Sequence, residues 1–98
     1  MENNDKHLVN PQNTIEVLKM FVKKKKKKFG QNFLIDSHVM DKIIRAAGIT
    51  KDDAVLEVGP GIGTMTQFLC ENAGKVLAVE IDKALLPVLE YTLADYDN

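Results

Sequence analysis

Between Ala54 and Asp82 two short apolar, β-favouring runs flank a glycine-rich turn and one helical segment, and few folds accommodate that order. The first run, Ala54-Val55-Leu56-Glu57-Val58, reads as a buried strand ending at glycine. Gly59-Pro60-Gly61-Ile62-Gly63 follows. Thr64 to Glu71 then carries Met65, Phe68 and Leu69 as a helix that closes near Asn72-Ala73-Gly74. Lys75-Val76-Leu77-Ala78-Val79-Glu80 is a second apolar strand with an acidic end. A helix between two strands makes them parallel, so both strand ends come to the same edge of the sheet. Asp82 opens a last helix bearing Leu85, Leu86, Leu89 and Leu93, which starts late enough to hold Pro87 in its first turn.

The preceding half is different in character. Residues 1–50 hold ten Lys/Arg against five Asp/Glu, whereas residues 51–98 hold three against nine, so the net charge of -1 hides two surfaces suited to different partners. Residues 1–13 are polar and aperiodic and read as a frayed terminus. A short helix is expected from Thr14, as its cap, to Val22. Lys23, Lys24, Lys25, Lys26, Lys27 and Lys28 repel one another, so the run is either simply solvated or engaged with a polyanion. It abuts Phe29-Gly30-Gln31-Asn32-Phe33-Leu34, in which apolar and amide side chains surround a glycine as in a structured binding loop. Asp36 or Ser37 caps a helix running to Ala47, with Val39, Met40, Ile43, Ile44 and Ala47 on one face and Gly48 as its stop.

Several classes are excluded. No apolar run approaches the ~20 residues of a membrane span, and the polar, acidic start is unlike a secretory signal, so cytoplasmic residence is expected. Cys70 is the single cysteine, which leaves no intramolecular disulfide or cysteine-based zinc site, and its apolar neighbours point to plain burial. His7 and His38 lack metal or triad spacing and are expected to face solvent or cap helices; no metal is expected.

The glycine loop carries the chemistry. A helix N-terminus offers unpaired amides and partial positive charge, and glycines before it let a ligand approach the backbone. Glu80 lies 21 residues after Gly59, at the end of the neighbouring strand, where a carboxylate can accept both hydroxyls of a ribose. Together these features point to a nucleoside ligand. The dinucleotide fingerprint wants Gly or Ala where Thr64 stands, and Glu57 beside the loop is unwelcome near a pyrophosphate. That acid suits the ammonium and sulfonium of S-adenosylmethionine better, which argues against a nicotinamide-dependent domain. No Gly-Lys-Ser/Thr follows the glycines, so a P-loop is excluded.

Three ordered blocks, Phe29-Gly30-Gln31-Asn32-Phe33-Leu34-Ile35-Asp36, Glu57-Val58-Gly59-Pro60-Gly61-Ile62-Gly63-Thr64-Met65-Thr66 and Val79-Glu80-Ile81-Asp82, resemble the ribosomal RNA adenine dimethyltransferase family. The likeness runs from about Lys28 to Asn98, and Pro60 makes the chain more similar to the small-subunit housekeeping enzymes than to the erythromycin-resistance methyltransferases. It implies an α/β chain, the N-terminal part of a Rossmann-like S-adenosylmethionine-dependent methyltransferase fold, with a parallel sheet and flanking helices. Residues 1–28 would be a polar and basic arm and residues 29–98 a partial methyltransferase domain. By motif, Gln31, Asn32 and Leu34 would line the methionine end of the cofactor, Gly59 and Gly61 would give backbone contacts, Glu80 would hold the ribose and Ile81 would pack on adenine. Glu57 would act at one remove by orienting the loop and the amino group, and Lys23 to Lys28 would meet ribosomal RNA backbone.

The family dimethylates two adjacent adenines of small-subunit ribosomal RNA, using an Asn-Leu-Pro-Tyr motif to clamp the unstacked base. The prolines here stand at 11, 60 and 87, none in that context, so no catalytic residue is assigned. The resemblance therefore implies an N-terminal, S-adenosylmethionine-binding half that does not turn over alone, whose partners are small-subunit ribosomal RNA or the pre-ribosomal subunit. Self-association through an open sheet edge is expected for so short a sheet. The competing expectation is a non-catalytic RNA-binding module on the same scaffold.

Overall fold

The computed structural model describes residues 6–21 and 36–98, so the expectations for Lys23 to Lys28, Gln31, Asn32 and Leu34 lie outside the described residues. Two parallel strands, β1 (Ala54–Val58) and β2 (Lys75–Val79), pair in register from Ala54 opposite Lys75 to Val58 opposite Val79. The helices are α1 (Pro11–Phe21), α2 (Ser37–Ala47), α3 (Thr64–Asn72) and α4 (Leu86–Thr92), the last entered through a 3₁₀ turn over Lys83–Leu85.

Local sequence accounts for these boundaries. Asp36 caps α2 by accepting the His38 amide at 2.8 Å. Gly48, at φ +66°, ends it, and the Ile49 amide reaches back to the Ile44 carbonyl in a Schellman closure. Asp82 caps the 3₁₀ turn through the Ala84 amide at 2.9 Å, and Pro87 sits in the first turn of α4 as the sequence requires.

Two apolar clusters hold the elements together. Met40 and Ile44 of α2 meet Phe68 and Leu69 of α3, with Val55 and Val76 from the inner face of the sheet packed against them. The second cluster joins Leu8, Val17 of α1, Ile62 of the glycine loop, Leu85 and Val88. Burying such side chains contributes about 1.5–3 kcal/mol each, so each cluster is a substantial part of what holds its segments in place.

Four expectations need correction. The described part of residues 1–13 is folded rather than frayed: Leu8 is 0% exposed and α1 begins at Pro11, a residue suited to the first helical position. Thr14 lies inside α1 and is no cap; its hydroxyl donates to the Leu8 carbonyl at 2.6 Å. His7 does not simply face solvent, because its Nε2 meets Glu71 Oε2 at 2.5 Å, where the Tyr96 hydroxyl also donates, and its ring lies 5.7 Å from that of Phe68. Finally, among the described residues β1 is covered on one face only. Leu56 is 63% and Val58 78% exposed, and Leu77 and Val79 of β2 share that bare face, because α2 and α3 both pack on the other side. Cys70 is buried as expected.

Candidate cofactor site

The site forms where β1 and β2 end together. The ladder runs one step past β1, the Gly59 amide donating to the Val79 carbonyl at 2.9 Å, before the chain turns away through Pro60 to Gly63. Gly59, Gly61 and Gly63 have φ of +75°, +64° and +102°, a conformation that L side chains rarely adopt. Gly63 is the most constrained of them. A Cβ there would lie 2.9 Å from Thr92 Oγ1 and 3.2 Å from Leu89 Cδ2, so the loop seats on α4 at van der Waals range only because the side chain is absent. Gly63 then caps α3 without a side chain, which leaves the helix N-terminus open toward the loop.

Glu80 reaches this loop directly. Its Oε1 accepts the Gly61 amide at 3.1 Å and its Oε2 the Asp82 amide at 2.9 Å, so one half-buried carboxylate spans the gap between glycine loop and β2 end. Ile81, next along, is 95% exposed, an apolar side chain with nothing over it beside a carboxylate. Gly59, Gly61, Glu80 and Ile81 are thus brought together, the glycines and Glu80 as their spacing suggests and Ile81 as the resemblance implies. A carboxylate that can accept hydroxyl hydrogens, a glycine backbone that a ligand can approach and a bare apolar side chain are chemically suited to a ribose and its purine.

Glu57 faces the helix side of the sheet instead. Its Oε1 accepts the Thr66 hydroxyl at 2.5 Å, which ties β1 to the first turn of α3 across the loop. Burial raises its carboxyl above the ordinary value of 4.5, and the Thr66 hydrogen bond partly offsets the rise. The folded state therefore binds this proton more tightly than the unfolded chain. The ionised group costs stability at neutral pH, and the cost is relieved as pH falls through the raised folded value toward 4.5. Glu57→Gln, which still accepts from Thr66, is expected to raise the urea midpoint at pH 7, with the gain fading toward pH 4.5; an equal gain at both pH values would exclude ionisation as the cause.

Sequence reasoning missed the supports behind the loop. Ile62 is 0% exposed and plugs the loop into the Leu8 cluster, while the Thr92 hydroxyl donates to the Ile62 carbonyl at 2.8 Å. Gln67, 1% exposed, was the visible signal: a large amide on the apolar side of a short helix must find several partners or not be buried at all.

The fold and site define a parallel β-α-β unit whose glycine loop and acidic second-strand end meet at one edge of the sheet. Residues 22–98 match the model of the family described as ribosomal RNA adenine dimethylase. The chain is 67% identical over 93 residues to a ribosomal RNA small subunit methyltransferase A of Lachnoclostridium phytofermentans, and 48% identical over 97 residues to that of Lactococcus lactis. Those alignments cover 94% and 99% of this chain but 32% and 33% of the relatives, so the chain spans about a third of their length. Among solved structures, a dimethyladenosine transferase from Plasmodium falciparum superposes with a TM-score of 0.58 at 35% identity, over 64% of this chain and 24% of that one. The chain belongs to the ribosomal RNA adenine dimethylase family.

Proposed function

We propose that the chain is the S-adenosylmethionine-binding part of a ribosomal RNA adenine N6-dimethyltransferase acting on small-subunit RNA, and that it does not turn over by itself. The observation that carries this reading is the Glu80 carboxylate held 3.1 Å from the Gly61 amide, at the mouth of a glycine loop and beside exposed Ile81. When bound, the cofactor supplies an electrophilic methyl group on sulfur. Glu80 accepts the ribose hydroxyls, Gly59 and Gly61 let the ligand lie against the backbone, and Ile81 covers one face of the adenine. Glu57 keeps the loop in place through Thr66 rather than by touching the ligand. Lys23 to Lys28 contact the phosphates of ribosomal RNA, and Gln31, Asn32 and Leu34 complete the methionine end of the site. The bare face of Leu56, Val58, Leu77 and Val79 meets a second copy when the chain stands alone.

An amide NMR titration with S-adenosylhomocysteine tests the reading. Saturable shifts at Gly59, Gly61, Glu80 and Ile81 are expected, with line widths that grow with protein concentration as the bare faces meet. A dispersed spectrum without shifts would overturn the cofactor assignment, and widths independent of concentration would overturn self-association.

A further inference from the structure

We infer that Gln67 and Thr92 are positioning residues for the glycine loop, through which the seating of residues 6–8 sets the geometry of the cofactor site. The inference rests on the cofactor reading above. The contacts form a continuous path. The Leu8 amide donates to Gln67 Oε1 at 2.9 Å, and Gln67 Nε2 donates to the Lys6 carbonyl at 3.0 Å and the Thr92 carbonyl at 2.9 Å. The Thr92 hydroxyl donates to the Ile62 carbonyl at 2.8 Å, in the middle of the glycine loop. Gln67 is 1% and Thr92 3% exposed, so neither can exchange these partners for water.

The apolar contacts follow the same path. Ile62 is buried in one cluster with Leu8 and Val17 of the N-terminal segment and Leu85 and Val88 near α4. The loop is therefore held from behind at three points: the Ile62 side chain, the Ile62 carbonyl, and Gly63 against Thr92 and Leu89. Gly61, whose amide faces Glu80, is one residue from this anchor. A segment some sixty residues away in sequence thus bears on the ligand edge without touching it, because Gln67 joins it to Thr92. An amide is the side chain for this task. It accepts one backbone hydrogen and donates two, which matches the Leu8 amide and the two carbonyls, where a carboxylate would face both carbonyls without a proton.

The test uses Thr92→Val, which keeps the branched shape and removes the hydroxyl, Thr92→Ser, which keeps the hydroxyl, and Gln67→Met, which keeps the length and removes all three hydrogen bonds. Ile44→Val in the other cluster serves as a control whose destabilisation is comparable to that of Thr92→Val. Amide hydrogen exchange at Gly61 and Gly63 is measured in the ligand-free protein, and S-adenosylhomocysteine affinity by calorimetry. Thr92→Val and Gln67→Met are each expected to speed loop exchange and weaken binding by about tenfold, the equivalent of one buried hydrogen bond. The double variant should be no worse than either alone, Thr92→Ser should restore both readouts, and Ile44→Val should move neither. Loop exchange and affinity that follow overall stability alike in every variant would overturn the inference and leave a purely structural role. If the unaltered protein fails to bind while its loop exchange still responds to Thr92→Val, the relay stands and the cofactor assignment falls.

Discussion

Gly74→Ala is expected to destabilise the fold by about 3 kcal/mol or more, a large part of the ~5–15 kcal/mol that holds a domain of this size together. The added Cβ would lie 2.1 Å from the Lys51 carbonyl oxygen and 3.1 Å from its carbon, a clash with backbone and not with the yielding end of a side chain. The carbonyl cannot retreat cheaply. It belongs to a turn closed by the Asp53 amide on the Thr50 carbonyl at 3.0 Å and by the Thr50 amide on Asp53 Oδ2 at 2.8 Å. Nor can Gly74 withdraw, because its amide and that of Lys75 both donate to the Asp53 carbonyl, at 3.0 and 3.2 Å. Those bonds start β2 opposite β1, so separating the two segments unpairs the strands at Ala54 and Lys75. Gly48→Ala is the informative contrast. It has nothing within 4 Å of a new Cβ but a φ of +66°, and should cost only about 1–2 kcal/mol. Urea denaturation followed by circular dichroism measures both, and equal costs would show that steric contact at Gly74 is not what matters.

The elements that sequence revealed are those whose signals are local. Helix α2 is written in Asp36, the spacing of Met40 and Ile44, and Gly48, although Val39, Ile43 and Ala47 of its expected apolar face stay exposed; the β-α-β unit is written in two apolar runs around three glycines. Glu80 was placed because parallel pairing fixes which strand ends meet. What escaped depends on contacts between distant segments. Leu8 and Val9 stand in a polar stretch with no period to flag them, yet Leu8 is fully buried because α1, α4 and Ile62 close around it. His7 and Glu71 are 64 residues apart, and no spacing rule joins them. The strand over Ala54–Val58 looked buried because an apolar run in a parallel sheet ordinarily has both faces covered, and here α2 and α3 share one side.

The same logic of strand ends gives the largest effect on the site. Glu80→Ala is expected to weaken S-adenosylhomocysteine binding by about 100-fold or more, since two hydrogen bonds to a charged group at ~1.5–3 kcal/mol each are lost where ~1.4 kcal/mol is tenfold. Glu80→Gln, which keeps one acceptor oxygen and loses the charge, should fall between, at about tenfold. The complication is that Glu80 also holds the protein's own amides, Gly61 at 3.1 Å and Asp82 at 2.9 Å, so its loss loosens the loop as well as the ligand. A ligand without ribose hydroxyls separates the two effects. If Glu80 acts through the ribose, the 2′,3′-dideoxy analogue should bind the original protein and Glu80→Ala about equally, while the parent compound distinguishes them strongly. If Glu80 acts only by holding Gly61, both ligands should weaken by the same factor on substitution, and the direct ribose contact would have to be abandoned. The geometry favours the first result, because each carboxylate oxygen keeps a second lone pair after accepting its backbone amide, and those lone pairs belong to a half-buried side chain beside uncovered Ile81.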